Sequence, residues 1–259
     1  MILLALNQHP DYPLVLAANR DEYYRRLATP AGPWPDHPEI IGGRDLLQGG
    51  SWLAMSRNGR FAAVTNFREP PLAVNPPRSR GRLVSDFLLG FSSPVTYLAQ
   101  VERQESLYRG FSLLVGDRST VGYLSNRGAG YHLLEPGLYG VSNALLDSPW
   151  SKVTSGKKHL AVLLSASPLD SDGLFTLLAD DTSPGLPAGT LANGDLIAGP
   201  QAPIFIRTAE YGTRCSTLLW LDRIGRMTLQ ERSFEAAGSQ WSEVHHRSDG
   251  FGLLENSHT

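Results

Sequence analysis

The order of the apolar runs constrains this chain most. They come in strand-sized pieces gathered into blocks, and two helical stretches separate the blocks. Residues 2–6 and 13–18 are short apolar runs on either side of Asn7-Gln8-His9-Pro10-Asp11, a turn composition, so the chain opens as a β-hairpin. A second hairpin is expected from 51–56 and 60–67 around Arg57-Asn58-Gly59, where Asn-Gly favours a tight turn. Helical spacing then takes over: Leu83, Val84, Phe87 and Leu88 form one stripe within 82–89. Residues 94–104 follow, with Ser93 placed as N-cap and Pro94 in the first turn. Strands return at 111–115, 120–124, 131–134 and 137–141, helices at 150–165 and 171–180. The last expected strands, 216–222 and 227–234, flank Arg223-Ile224-Gly225. Loops are expected from about Glu22 to Pro38, over 70–77 and over 184–203.

Strand blocks separated by helical blocks are not the strict alternation of a parallel sheet. They imply an α+β fold with helices packed on antiparallel sheets. The 259 residues read as a single domain, 1–259, with a polar, peripheral tail from about residue 237. That length can bury a core without disulfides or metals, and the lone Cys215 allows no internal disulfide. The net charge of −2 comes from intermingled acids and bases, which argues against a nucleic-acid surface. No apolar run is long enough for a signal-peptide core or a membrane span. A cytoplasmic protein is therefore the expectation.

Common catalytic signatures are missing: there is no GxGxxG after a strand, no P-loop and no GxSxG. None of the seven histidines falls in an HExxH, and no cysteine pair supports zinc, so neither a metal site nor a cofactor is expected. Four clusters at strand ends remain: Ala17-Ala18-Asn19-Arg20-Asp21-Glu22, Val64-Thr65-Asn66-Phe67-Arg68-Glu69, Gly140-Val141-Ser142-Asn143-Ala144 and Tyr211-Gly212-Thr213-Arg214-Cys215-Ser216. Any one of them alone reads as ordinary turn asparagines and surface arginines.

Taken together with Gly43-Arg44-Asp45, Gly49-Gly50-Ser51-Trp52-Leu53 and Asn58-Gly59-Arg60, these clusters resemble the NRDE family, which includes transport and Golgi organisation proteins and is named for the tetrapeptide at 19–22. The resemblance runs to about Arg214. The family is similar to N-terminal-nucleophile (Ntn) hydrolases of the bile-salt hydrolase and penicillin V acylase type. The likeness implies a four-layer αββα sandwich, two antiparallel sheets face to face with outer helices. It also implies roles. Asn19 and Asp21 match an Arg-Asn-x-Asp motif, with Asp21 orienting the nucleophile and its amine. Asn66 and Asn143 would donate to an oxyanion, and Arg214 would balance charge beside a thiolate. Arg20 and Phe67 would contact substrate. Ala18 stands where the motif has arginine, and Arg20, two residues on and on the same strand face, is the residue available to compensate.

The family's nucleophile is an N-terminal cysteine with its own amine as base. Here the sequence reads Met1-Ile2-Leu3, and the expected cysteine falls one residue before Met1. Two explanations stay open: a natural start of Met-Cys upstream, or loss of the nucleophile. The persistence of Asn19, Asp21, Asn143 and Arg214 favours the first. As written, the chain is expected to be a poor hydrolase. The leading expectation is an amidohydrolase-like protein for a small amide or acyl ligand. The alternative is a non-catalytic carrier of haem or acyl lipid, in line with the family's link to Golgi organisation, with His132 or His159 as candidate haem ligands.

Overall fold

The fold comes from a computed structural model that describes residues 1–70, 76–182, 199–235 and 241–248. Of the expected loops and tail, 71–75, 184–198, 236–240 and 249–259 lie outside the described residues.

The opening hairpin is β1 (Ile2–Leu6) and β2 (Leu14–Tyr23), paired from Ile2↔Ala18 to Leu6↔Leu14. Then come β3 (Gly32–Trp34), β4 (His37–Gly42), β5 (Leu53–Ser56) and β6 (Phe61–Asn66). Two helices, α1 (Gly81–Leu89) and α2 (Pro94–Glu102), lead to β7 (Phe111–Gly116), β8 (Val121–Ser125), β9 (His132–Leu133) and β10 (Gly137–Val141). Helices α3 (Ser151–Leu163) and α4 (Ser171–Leu178) precede β11 (Tyr211–Leu221), β12 (Met227–Phe234) and β13 (Trp241–Arg247).

The strands form two antiparallel sheets. One has the order β10-β1-β2-β11-β12-β13; the other runs from β3 to β9 in chain order. Alternation along β2 shows how they stack. Leu14, Leu16 and Ala18 meet Met55, Phe61 and Leu114 of the other sheet, while Val15 and Ala17 turn to Leu160 of α3 and Leu174 and Leu178 of α4. On the far side, Ala62 and Val115 pack on Leu83, Phe87 and Leu98 of α1 and α2. The layers are therefore α1/α2, seven strands, six strands, α3/α4: the αββα order. Burial of both sheet faces explains why β1 is apolar at all five positions rather than alternating. Each fully buried Leu or Ile there contributes about 1.5–3 kcal/mol.

Three expectations are corrected. β2 continues through the polar residues to Tyr23, because β11 begins at Tyr211 and pairs along its whole length. The stretch expected as loop from about Glu22 to Pro38 contains β3 and the first two residues of β4. Its prolines are tolerated because Pro33 lies on the sheet's edge strand and Pro38 precedes the β4–β5 pairing, which starts at Ile40. The tail is not wholly peripheral, since 241–247 pair with β12. No helix among the described residues is long and apolar enough to cross a membrane.

Candidate functional site

The end of β2 splits its polar residues between two faces. Asn19 and Asp21 share the face of Val15 and Ala17, toward α3 and α4. Asn19 is buried; its Nδ2 donates to the carbonyls of Leu178 at 2.8 Å and Ile204 at 2.9 Å. Its Oδ1 accepts from Ser216 Oγ at 2.6 Å. Asp21 accepts from Thr213 Oγ1 at 2.7 Å. Lys152, on α3, is only 3% exposed; burial lowers its pKa and the charge of Asp21 opposes that shift. The Met1 α-amine donates to the Asn19 carbonyl at 3.0 Å. Burial lowers this amine's pKa from 8.0 to about 6, again against the pull of Asp21.

Arg20 takes the opposite face, with Ala18. Its guanidinium lies 4.3 Å over the Trp52 ring and 3.8 Å from Asp45. Asp45 also holds Arg26 Nε at 2.6 Å and the amides of Leu47 and Gln48. The turn that carries Asp45 depends on two glycines. Gly49 sits at φ +73°, and a Cβ on Gly50 would stand 2.4 Å from the backbone of Gly81. This close crossing, with Ser51 N donating to the Gly81 carbonyl at 3.2 Å, sets the start of α1 beside Trp52.

Where the sheets part beyond these residues, a cleft of about 520 Å³ opens. Met1, Asn19, Arg20 and Asp21 line one side; Asn66 and Asn143 line another; Arg80, Arg109 and Tyr211 complete the rim. The two asparagines come from different sheets and are clasped together. Asn143 Nδ2 donates to the Asn66 carbonyl at 3.0 Å, Arg68 N to the Asn143 carbonyl at 2.7 Å, and Thr65 Oγ1 to the Ser142 carbonyl at 2.7 Å. One Asn143 amide proton thus serves the clasp and one is left to point elsewhere. The Tyr211 phenol is held protonated by burial and by Asp21 and Glu22.

The structure departs from expectation at two residues. Arg214 is not part of the cleft lining. It falls at a bulge in β11 between Thr213 and Cys215, which swings its guanidinium onto Tyr24, whose carbonyl accepts Nη1 at 2.7 Å. Phe67 follows the last residue of β6, bonds through its N–H to Gly110, and is also absent from the lining. Arg214 instead lines a second cavity of about 360 Å³ with Cys215 and Glu231, and this cavity shares Arg20 and Trp52 with the cleft. Cys215 is buried there; burial and then Glu231 push its thiol pKa well up. A protonated, enclosed thiol is a poor nucleophile. Glu231, also buried, has its carboxyl raised by burial, and accepts from Ala31 N at 2.7 Å and Thr217 Oγ1 at 2.9 Å.

Lys152 and Arg80 escaped the sequence reading, whereas Trp52, Tyr211 and Thr213 stood within its blocks without an assigned role. Only Lys152 carried a signal: it shares an apolar stripe with Val153, Gly156 and Leu160, where a surface lysine does not belong. His132 and His159 are exposed and line neither cavity. Among the described residues no group of three or more His, Cys, Asp or Glu is placed to hold a metal ion.

With this geometry in hand, relatives can be compared. Residues 1–236 match the family described as Transport and Golgi organisation 2. The Transport and Golgi organization protein 2 homolog of Bos taurus is 36% identical over 254 residues, covering 91% of this chain and 92% of its own. The Homo sapiens homolog is 37% identical over 240 residues, covering 86% and 87%. Among solved structures, a variant of conjugated bile acid hydrolase from Clostridium perfringens aligns over 100% of both chains at 10% identity, with a TM-score of 0.49. An N-acylethanolamine-hydrolyzing acid amidase ortholog from Caenorhabditis elegans covers 84% of this chain and 91% of its own at 12% identity, with a TM-score of 0.43. The near-full-length matches at over 30% identity and the family match across 236 residues lead to one conclusion: this chain belongs to the Transport and Golgi organisation 2 family.

Proposed function

We propose that the cleft is an amide-recognition site of the Ntn hydrolase kind, competent for hydrolysis when a cysteine precedes Met1 and otherwise limited to binding. The observation that carries this reading is strand register. β1 and β2 pair with Ile2 opposite Ala18, and Met1 and Asn19 exchange backbone hydrogen bonds at 2.9 and 3.0 Å. One further residue on the amino side therefore falls opposite Arg20. Since Ile2 faces the other sheet and Met1 the helices, that residue faces the other sheet again, in the cleft.

A cysteine there attacks the amide carbonyl through sulfur. Its thiol proton passes to the α-amine, which Asp21 holds nearby. The remaining Nδ2 proton of Asn143, with the Asn66 side chain, donates to the oxyanion. The tetrahedral intermediate collapses with release of the amine, which takes the proton. Water then cleaves the thioester and frees the acid.

The test is a protein made as Met-Cys before Met1, with the initiator methionine removed, assayed on a panel of acyl amides. The same chain carrying Ala in place of Cys is the control. Turnover in the cysteine form alone supports the reading. Turnover no faster than that of the chain beginning at Met1 sinks hydrolysis by this route.

A further inference from the structure

We infer that the cleft holds an anion subsite built on Arg80, so that its ligand carries a carboxylate or phosphate next to the group recognised by Asn66 and Asn143. This rests on the reading of the cleft as a ligand site and specifies what that ligand must bear.

Position comes first. Arg80 is the N-cap of α1, and its Nη1 donates to the Gly110 carbonyl at 3.0 Å. The same carbonyl accepts the Phe67 N–H at 2.9 Å. The guanidinium is thereby fixed at the end of β6, one residue from Asn66, on the rim that both share.

Charge comes second. Arg80 makes no ion pair with any described residue. The nearby carboxylate, Glu69, is already committed. It receives Arg109 Nε at 3.3 Å, Arg127 Nη2 at 2.6 Å and the Gly110 amide at 2.8 Å. Arg78, on the same rim, donates to a neutral partner, Gln104 Oε1, at 2.8 Å. Arg109 and Arg127 thus share Glu69, while Arg78 and Arg80 border the cleft with no described carboxylate in ion-pair contact; Glu22, whose charge reaches Arg80, lies 3.8 Å from Arg26. The opposite rim is different, because there Arg20 and Arg26 both face Asp45.

The helix adds to this field. The first turn of α1 contains no acidic residue, and no N-cap side chain accepts from its leading amides. Its leading amides are already used, Gly81 N by Ser79 Oγ and Arg82 N by the Ser79 carbonyl. The turn therefore contributes its positive dipole end rather than open donors. Burial and then the charge of Arg109 lower the Arg80 pKa to about 10, so it remains a cation at neutral pH. A half-buried cation with cationic neighbours and no acid of its own is unfavourable in isolation. A bound oxyanion offers the fork acceptors that its free N–H groups require.

Calorimetric titration of the whole protein at low salt tests this, with inorganic pyrophosphate in one arm and tricarballylate in the other. Saturable binding in either arm, weakened roughly 10- to 100-fold in Arg80→Gln, is the expected result, as for loss of a charged hydrogen-bond pair. The arm that binds names the anion. Arg80→Lys, which keeps the charge and loses the fork, should fall between, and Arg226→Gln, which breaks a contact with Asp222 away from the cleft, should bind as the parent does. No saturation at about 1 mM, or equal affinity in parent and Arg80→Gln with matching thermal melts, overturns the subsite. Amide turnover by the cysteine-extended protein without anion binding would sink this inference alone. Arg80-dependent binding without turnover would sink hydrolysis alone.

Discussion

Asn19 and Asp21 turn toward α3 and α4, whereas Arg20 turns between the sheets to the rim of the cleft. Every polar atom of the Asn19 side chain is used, on Leu178, Ile204 and Ser216. Arg20 is held more loosely, by a ring stack at 4.3 Å and a carboxylate 3.8 Å away that already serves Arg26. Residues adjacent in sequence thus have opposite duties. One face ties β2, the helix layer and β11 into a frame. The other leaves a cation adaptable enough to meet a ligand.

Substitutions should separate the two faces. The largest effect is expected at Asn19→Ala, which strands two carbonyls and a hydroxyl in a dry interior. At about 1–3 kcal/mol per orphaned group, the loss should be roughly 3–9 kcal/mol in urea unfolding; a loss under about 1 kcal/mol would mean that water reaches these groups. Next comes Asp21→Asn, which removes the charge that offsets the burial of Lys152 and weakens the acceptor of Thr213 Oγ1, and should cost roughly 2 kcal/mol. Adding Lys152→Met in that background should recover much of the loss; strictly additive effects in the four-way comparison would show that the two side chains are not coupled. Arg20→Ala should be the mildest, about 1 kcal/mol, since Asp45 keeps Arg26 and only a stack and a long pair are lost. A melting-point drop as large as that of Asn19→Ala would erase the distinction between the faces.

Much of this architecture was legible. Both hairpins, all four helices and most strands follow from apolar period and turn chemistry. The failures share a cause. Asn19 to Glu22 read as a strand exit because nothing local reveals that β11 arrives to pair with them. The polar 241–247 segment becomes a strand only because β12 offers it an edge. Prolines hid β3 and the start of β4 because composition shows neither an edge position nor where pairing to the next strand begins. The cleft was less accessible still. Asn66 and Asn143 meet across two sheets, and no spacing rule joins them; a family likeness did. Arg214 falls outside the cleft lining because a one-residue bulge re-aims its side chain, and such a bulge leaves no trace in sequence.

The opening hairpin also has a history. β1 finds its outer neighbour only when β10 is made, and Tyr23 must wait for Tyr211. At about 5–20 residues per second, that wait lasts about 10 to 40 s on the ribosome. The residues at 19–22 are thus among the first synthesised and the last seated. Until then β2 presents an unpaired edge, the kind that recruits other strands or chaperones. Any product that ends before β11 keeps that edge open, so incomplete chains carry a mark by which they can be recognised and cleared.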